Sequence, residues 1–256
     1  MDQTHTDEVL YDVTGGVATI TLNRPEALNA FTTPMRLRFS ELVAAADADS
    51  DVAVIVITGA GRGFCAGADT NDLQSIDGGV IRDNDAITAA TSLGHLRNVT
   101  KPLFAAVNGA CAGMGFCLAL MADVRFVAAE AKITTSFSRL GLPAETGSSW
   151  LLPRLVGTAR ALDLLYSARV LSGQEAYDIG WAQWVYPADA LAGEVAAYAA
   201  AVASRSPHSL AVMRDQVLTD GASTFERSFD TSVELTALAV DRPEFQALLA
   251  GRPRGG

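Results

Sequence analysis

The chain has 256 residues, 49% hydrophobic and 19% charged, with a formal net charge of −10. That is enough length and apolar content for a full globular core, and it leaves no basic surplus with which to bind nucleic acid or an anionic membrane surface. Its three cysteines, Cys65, Cys111 and Cys117, are odd in number and lack C-x-x-C spacing, so neither a disulfide framework nor a metal site is expected.

In chain order, "VLYDVTGGVATITLNRP" predicts two strands around a turn at Thr14-Gly15-Gly16. Thr32 or Thr33 is a cap for a helix with Pro34 in its first turn, running to about Asp49. Val52–Thr58 is a short β-branched run, the pattern of a strand buried on both faces. The polar stretch 69–84 reads as a loop or short helix, and 85–98 reads as helix. Leu103–Val107 is a second buried strand, followed by "NGACAGMG" and a short apolar helix from about Gly115 to Met121. "DVRFVA" and "AKITT" are two further strands.

After about residue 145 the pattern turns helical, with segments at 189–205, 209–219, 223–240 and 243–250 and a loose tail, "GRPRGG". The composition shift near 190 divides a mixed α/β core, 1–190, from a helical section, 191–256. The start, "MDQTHTDEVLYDV", lacks the apolar stretch of a signal peptide, and no apolar run reaches the roughly 18 residues of a membrane span. A cytoplasmic protein with no membrane partner is the expectation.

"GAGRGFCAGAD" (59–69) admits three readings. G-x-G-x-x-A at Gly61, Gly63 and Ala66 fits a dinucleotide loop, but Asp69 and "NDLQSIDGG" interrupt the helix that must follow. Gly63-x-Cys65-x-Gly67 and Gly109-x-Cys111-x-Gly113 both fit a nucleophile elbow, for which His208 is the one downstream histidine. The third reading treats both stretches as glycine-lined bends after buried strands. Two backbone N–H groups would then meet at one ligand oxygen, one of them at a helix start, as in an oxyanion hole.

"NRPEALNAF" (23–31), "GRGFCAGAD" (61–69), "KPLFAAVNGACAGMGFCLALMADVRFVAAEAKI" (101–133), "LLPRLVG" (151–157) and "SGQEAYDIGWAQWVYP" (172–187) together resemble the crotonase superfamily, the enoyl-CoA hydratase/isomerase group. The resemblance implies an α/β fold, the ClpP/crotonase-like spiral of ββα units, with a C-terminal helical section used in trimerisation. A homotrimer or a dimer of trimers is the expected assembly. It also implies an acyl-CoA substrate, no cofactor beyond the coenzyme A that the substrate carries, and a thioester carbonyl held by the amides of Ala68 and Met114. Coenzyme A contacts carry over to Arg24, Ala27, Leu28, Ala66, Gly67, Asp69 and Gly113, with Arg24 as a phosphate partner.

Hydratases of this family hold water between two glutamates, and the matching positions here are Cys117 and Phe137. Glu145, in "LGLPAETGSSWLLPRLVG", matches the aspartate of an isomerase branch and the nucleophilic acid of a dehalogenase branch, for which Phe137 and Trp150 are aromatic candidates. A single carboxylate suits proton shuttling, so double-bond isomerisation with Glu145 as acid and base is the expected reaction. A hydratase, hydrolase or lyase using another base, and a non-catalytic CoA-thioester-binding subunit, are the alternatives. Asp69 is expected to order the first bend.

Overall fold

The hairpin forms where the alternation predicts it. In the computed structural model, which describes residues 8–74 and 92–250, β1 (Val9–Thr14) and β2 (Val17–Leu22) pair antiparallel with Thr14 opposite Val17. Gly15 and Gly16, at φ +59° and +79°, supply the two-residue turn that matches the strands' twist. Ala18, Ile20 and Leu22 form the inward row of β2. Thr32 caps α1 (Thr33–Ala48), its hydroxyl oxygen accepting from the Met35 amide at 3.2 Å. The helix buries Met35, Phe39, Leu42, Val43 and Ala46, one face at helical spacing.

From here a unit repeats. One strand enters a large sheet, and a short strand after it enters a small sheet. The pairs are β3 (Val54–Gly59) with β4 (Gly63–Cys65), β5 (Leu103–Val107) with β6 (Ala110–Ala112), and β7 (Val124–Ala128) with β8 (Lys132–Thr134). The small sheet ends in β9 (Leu171–Ser172) and the large one in β10 (Trp184–Tyr186). The large sheet has the order β1-β2-β3-β5-β7-β10, parallel except for the hairpin. The small sheet has the order β4-β6-β8-β9, with only β9 antiparallel. β5 is buried along its whole length, and so are the first four residues of β3, which explains their uninterrupted apolar runs.

Helices fill the crossovers, α2 (Thr70–Gln74), α3 (Met114–Met121), α4 (Ser148–Val156), α5 (Thr158–Ser167) and α6 (Gly173–Asp178), and α7 (Ala188–Ala203) follows the last strand. α7 packs on the large sheet, where Tyr198 meets the rings of Phe104 and Phe126 with centroids 5.4 and 5.1 Å apart. The first compact unit therefore runs to Ser204 and includes a helix that the composition shift near 190 had assigned to the C-terminal section. A second unit from Arg205 holds α8 (Pro207–Asp220), α9 (Phe225–Val240) and α10 (Pro243–Ala250).

The predicted helix over 85–98 is a 3-10 helix at Leu93–Asn98, and its earlier part lies outside the described residues. The stretch 69–84 is described only as far as α2, and the first seven residues and the "GRPRGG" tail also lie outside. Among the described residues no helix is long and apolar enough to cross a membrane. β4, β6 and β8 are parallel neighbours, and the chain leaving their carboxyl ends carries Ala68, Met114 and Glu145 in turn.

Candidate active site

The first bend is tied to the arc that precedes α1. Phe31 donates to the Gly67 carbonyl at 2.8 Å and accepts from the Asp69 amide at 2.8 Å, while the Ala66 amide reaches Leu28 at 3.0 Å. This is a short parallel ladder centred on Phe31 and Ala68. Parallel pairing uses the residues on either side of the partner, so the N–H and C=O of Ala68 itself point away from Phe31. Asn29, fully buried with φ +58°, accepts from the Arg24 amide and donates to the carbonyls of Ala60 and Gly63. Asn108 grips the same bend from β5, accepting from Gly59 and donating to Gly61 and Gly63.

Arg24, Ala27, Leu28, Ala66, Gly67 and Asp69 are thus brought into one junction. Arg24 itself is committed within it. Its guanidinium donates to the Ala30 carbonyl at 2.7 Å and to Asp69 at 3.1 Å, and lies 3.4 Å from Glu8. Arg24, expected as a phosphate partner, makes an internal clasp through these contacts. Asp69 accepts from the Asn71 amide and from Arg24, and these bonds hold its carboxyl below the ordinary aspartate range.

The second bend meets the first. Gly113, at φ +51°, opens α3, and its carbonyl accepts from the Cys117 amide. Gly67 is at φ +118°, and a Cβ there would stand 3.3 Å from the Ala112 oxygen and 3.9 Å from the Met114 nitrogen. Gly115 packs closer still: a Cβ would fall 2.0 Å from the Cys65 oxygen. Among the described residues, neither the Ala68 amide nor the Met114 amide has a hydrogen-bond acceptor. For Met114 this is the normal state of a helix's first N–H, pointing outward at the positive end of the dipole. The Met114 side chain is half-buried and packs on the core.

Glu145 stands on a left-handed bend, with Thr146 at φ +50° and Gly147 at φ +72°. Its carbonyl accepts from the Ser148 amide at 2.8 Å, which starts α4. The Cys117 thiol donates to the same carbonyl at 3.6 Å, so the Glu145 bend rests on the first turn of the helix that Met114 opens. The carboxyl is half-buried, and that burial raises its pKa above the ordinary glutamate value.

The other candidates fall into place by burial. Cys65, Cys111 and Cys117 are all buried; burial pushes Cys65 and Cys117 up to about 12 and Cys111 well above its ordinary value. Neutral thiols of this kind are poor nucleophiles, which counts against the elbow reading. His208 lies in the second unit, at the start of α8. Phe137 is a core residue. Trp150 is exposed, with the guanidinium of Arg154 stacked 3.6 Å from its ring. The roles of Asn29 and Asn108 escaped the sequence reading, although both lie inside the quoted motifs, because a buried amide's partners are set by the fold.

The model for enoyl-CoA hydratase/isomerase matches residues 12–247. A 1,2-epoxyphenylacetyl-CoA isomerase of Escherichia coli K12 is 34% identical over 90% of this chain and 89% of its own. A probable enoyl-CoA hydratase of Rhizobium meliloti is 32% identical over 95% and 90%. The solved structure of an enoyl-CoA hydratase subunit I from Geobacillus kaustophilus superposes with a TM-score of 0.89 at 28% identity, covering 97% of this chain and 98% of that one. The fold is the crotonase fold. The chain belongs to the enoyl-CoA hydratase/isomerase family, and it is an enzyme of that type.

Proposed function

We propose that this enzyme moves the double bond of an enoyl-CoA, with the amides of Ala68 and Met114 holding the thioester oxygen and Glu145 carrying the proton. The ionised carboxylate takes a proton from one carbon of the acyl chain. The electron pair delocalises onto the thioester oxygen, where the two N–H groups receive the charge. The carboxylic acid then returns the proton to a different carbon, and no water is consumed. An α-proton of a thioester is too weakly acidic to leave unless the enolate is stabilised, and one donor in a dry site contributes about 3–4 kcal/mol. Burial suits the acid for both directions, because a carboxyl raised toward neutrality is a better base and remains able to donate.

The observation that carries this reading is the seating of the Glu145 bend on the first turn of α3 through Cys117. Addition of water by two carboxylates finds no support, since a neutral thiol and a buried phenyl ring occupy the two relevant positions. The Escherichia coli relative is named as an isomerase of an epoxyphenylacetyl-CoA, and an Arabidopsis thaliana relative, 30% identical over 82% of this chain, is named as a dienoyl-CoA isomerase, which supports the reading. Coenzyme A is expected to lie along the junction of residues 24–28 with Ala66, Gly67 and Asp69, and near Gly113, with Arg24 shaping the junction rather than pairing with a phosphate. A homotrimer, alone or doubled, is the assembly proposed with it.

A panel of enoyl-CoA positional isomers incubated in deuterium oxide, followed by mass spectrometry, tests the reaction. Isomerisation gives deuterium incorporation and a shifted double bond. A product heavier by one water, with no positional isomer, overturns the proposal in favour of hydration.

A further inference from the structure

We infer that Arg125 strengthens the oxygen-binding start of α3 from the opposite end of that helix, a role that rests on the Met114 amide being one of the two donors. Arg125 belongs to β7 and is 2% exposed. Its guanidinium closes the carboxyl end of α3, donating through Nη1 to the carbonyls of Ala122 at 2.6 Å and Ala119 at 3.3 Å. The last carbonyls of a helix lack partners within it and carry the negative end of its dipole. Nε donates to the Trp181 carbonyl at 2.7 Å, and Nη2 donates to Gln183 Oε1 at 3.0 Å. The same Gln183 oxygen accepts from the Arg125 amide at 3.0 Å. The indole of Trp181 stacks on Phe116 of α3, with centroids 5.4 Å apart.

Each of these acceptors is neutral, and Arg125 makes no ion pair among the described residues. Asp123 attracts it from beyond contact distance, its own carboxylate accepting from the Leu103 amide at 2.8 Å. Burial pulls the guanidinium pKa down to about 10, so the charge persists at neutral pH. A short helix brings its negative end close to a ligand at its start. From Met114 to Ala122 the axis rises roughly 12 Å, so the carboxyl end of α3 opposes negative charge developing at the Met114 amide. Arg125 turns that partial negative charge into a net positive one. At roughly 12 Å and an effective dielectric of about 20, a full positive charge assists a full negative one by about tenfold in rate. The cation acts on the enolate oxygen through α3 and touches no substrate atom, which makes Arg125 a positioning residue. No step of the proton shuttle uses it, and a neutral side chain in the same space would avoid the cost of burying a charge.

Gln183→Glu is the discriminating variant. It keeps the oxygen that receives both Arg125 bonds and sets a carboxylate against the guanidinium, so the contacts survive and the charge is cancelled. The test reads kcat and KM for deuterium exchange, the melting temperature, and the C=O stretch of a bound, carbonyl-labelled acyl-CoA. In Gln183→Glu, kcat is expected to fall about three- to tenfold with KM within about twofold, and the melting temperature to be no lower than in wild type. The labelled stretch should move to lower frequency when wild type binds the thioester, and move less in Gln183→Glu. Arg125→Lys and Arg125→Gln give a second comparison. Both lose the fork of donors and should melt lower, but Arg125→Lys keeps the charge and should hold kcat within about threefold of wild type, whereas Arg125→Gln should lose about tenfold.

Wild-type kcat and an undiminished stretch shift in Gln183→Glu overturn the role of Arg125 and leave the two amides in place. A stretch that does not move when wild type binds the thioester overturns both. Should the Arg125 variants fail to fold, Gln183→Glu decides the matter alone.

Discussion

Glu145 carries opposite demands on stability and rate. The folded chain holds its proton more tightly than the unfolded chain does, because burial disfavours the charge. Its contribution to stability is therefore complete below the ordinary value of 4.5 and is lost as pH rises through the folded value. Glu145→Gln is expected to melt above wild type at neutral pH and level with it below about pH 4, a comparison that thermal scans at both pH values settle. Activity takes the other sign. The ionised form is the base, so kcat should fall as pH drops, along a limb centred above the usual glutamate range. In Glu145→Gln, exchange should fall by about 10²–10⁴-fold with thioester binding retained. Unaltered exchange removes this carboxyl from the mechanism.

The elements of the first unit position two bends, and the residues between strands do the positioning. Asn29 makes three hydrogen bonds inside the first bend, so Asn29→Ala should cost about 2–4 kcal/mol in denaturant unfolding. Gly115→Ala should be worse for folding than Gly67→Ala, because its Cβ meets a backbone carbonyl at 2.0 Å rather than 3.3 Å and neither neighbour can yield. Gly67→Ala should lower exchange while the fold survives, since its strain falls on the approach between the two bends.

The long or strongly patterned elements were legible in the letters. The hairpin, α1, both buried strands and the C-terminal helices follow directly from alternation, helical spacing and caps. The small sheet was not foreseen as a sheet. β4 and β6 have three residues each, too short to show a period, and they exist because parallel neighbours complete their hydrogen bonds. Arg24 shows the same limit from the other side. A lone arginine in a motif says nothing of Asp69, which is 45 positions away and takes one of its N–H groups.

At the scale of the whole molecule, the second unit leaves apolar surface uncovered. Phe225, Phe229 and Val233 recur at helical spacing along α9, all more than half exposed, and Met213 and Val217 do the same on α8. An exposed apolar stripe of this kind is suited to a partner copy, and the proposed trimer is the occupant that the family suggests. Sedimentation of wild type should give three copies or a multiple of three, and Phe225→Glu/Phe229→Glu should shift it toward the monomer. A monomeric wild type at micromolar concentration contradicts the proposed assembly.

Main-chain amides from separate bends are proposed to share one thioester oxygen, and infrared difference spectroscopy of a bound, carbonyl-labelled acyl-CoA reads that contact. The labelled C=O stretch should move to lower frequency on binding, by the same amount in Glu145→Gln, and by less in Gly67→Ala. A bound thioester whose stretch stays at its solution frequency contradicts the claim, because the oxygen then meets no such pair of donors.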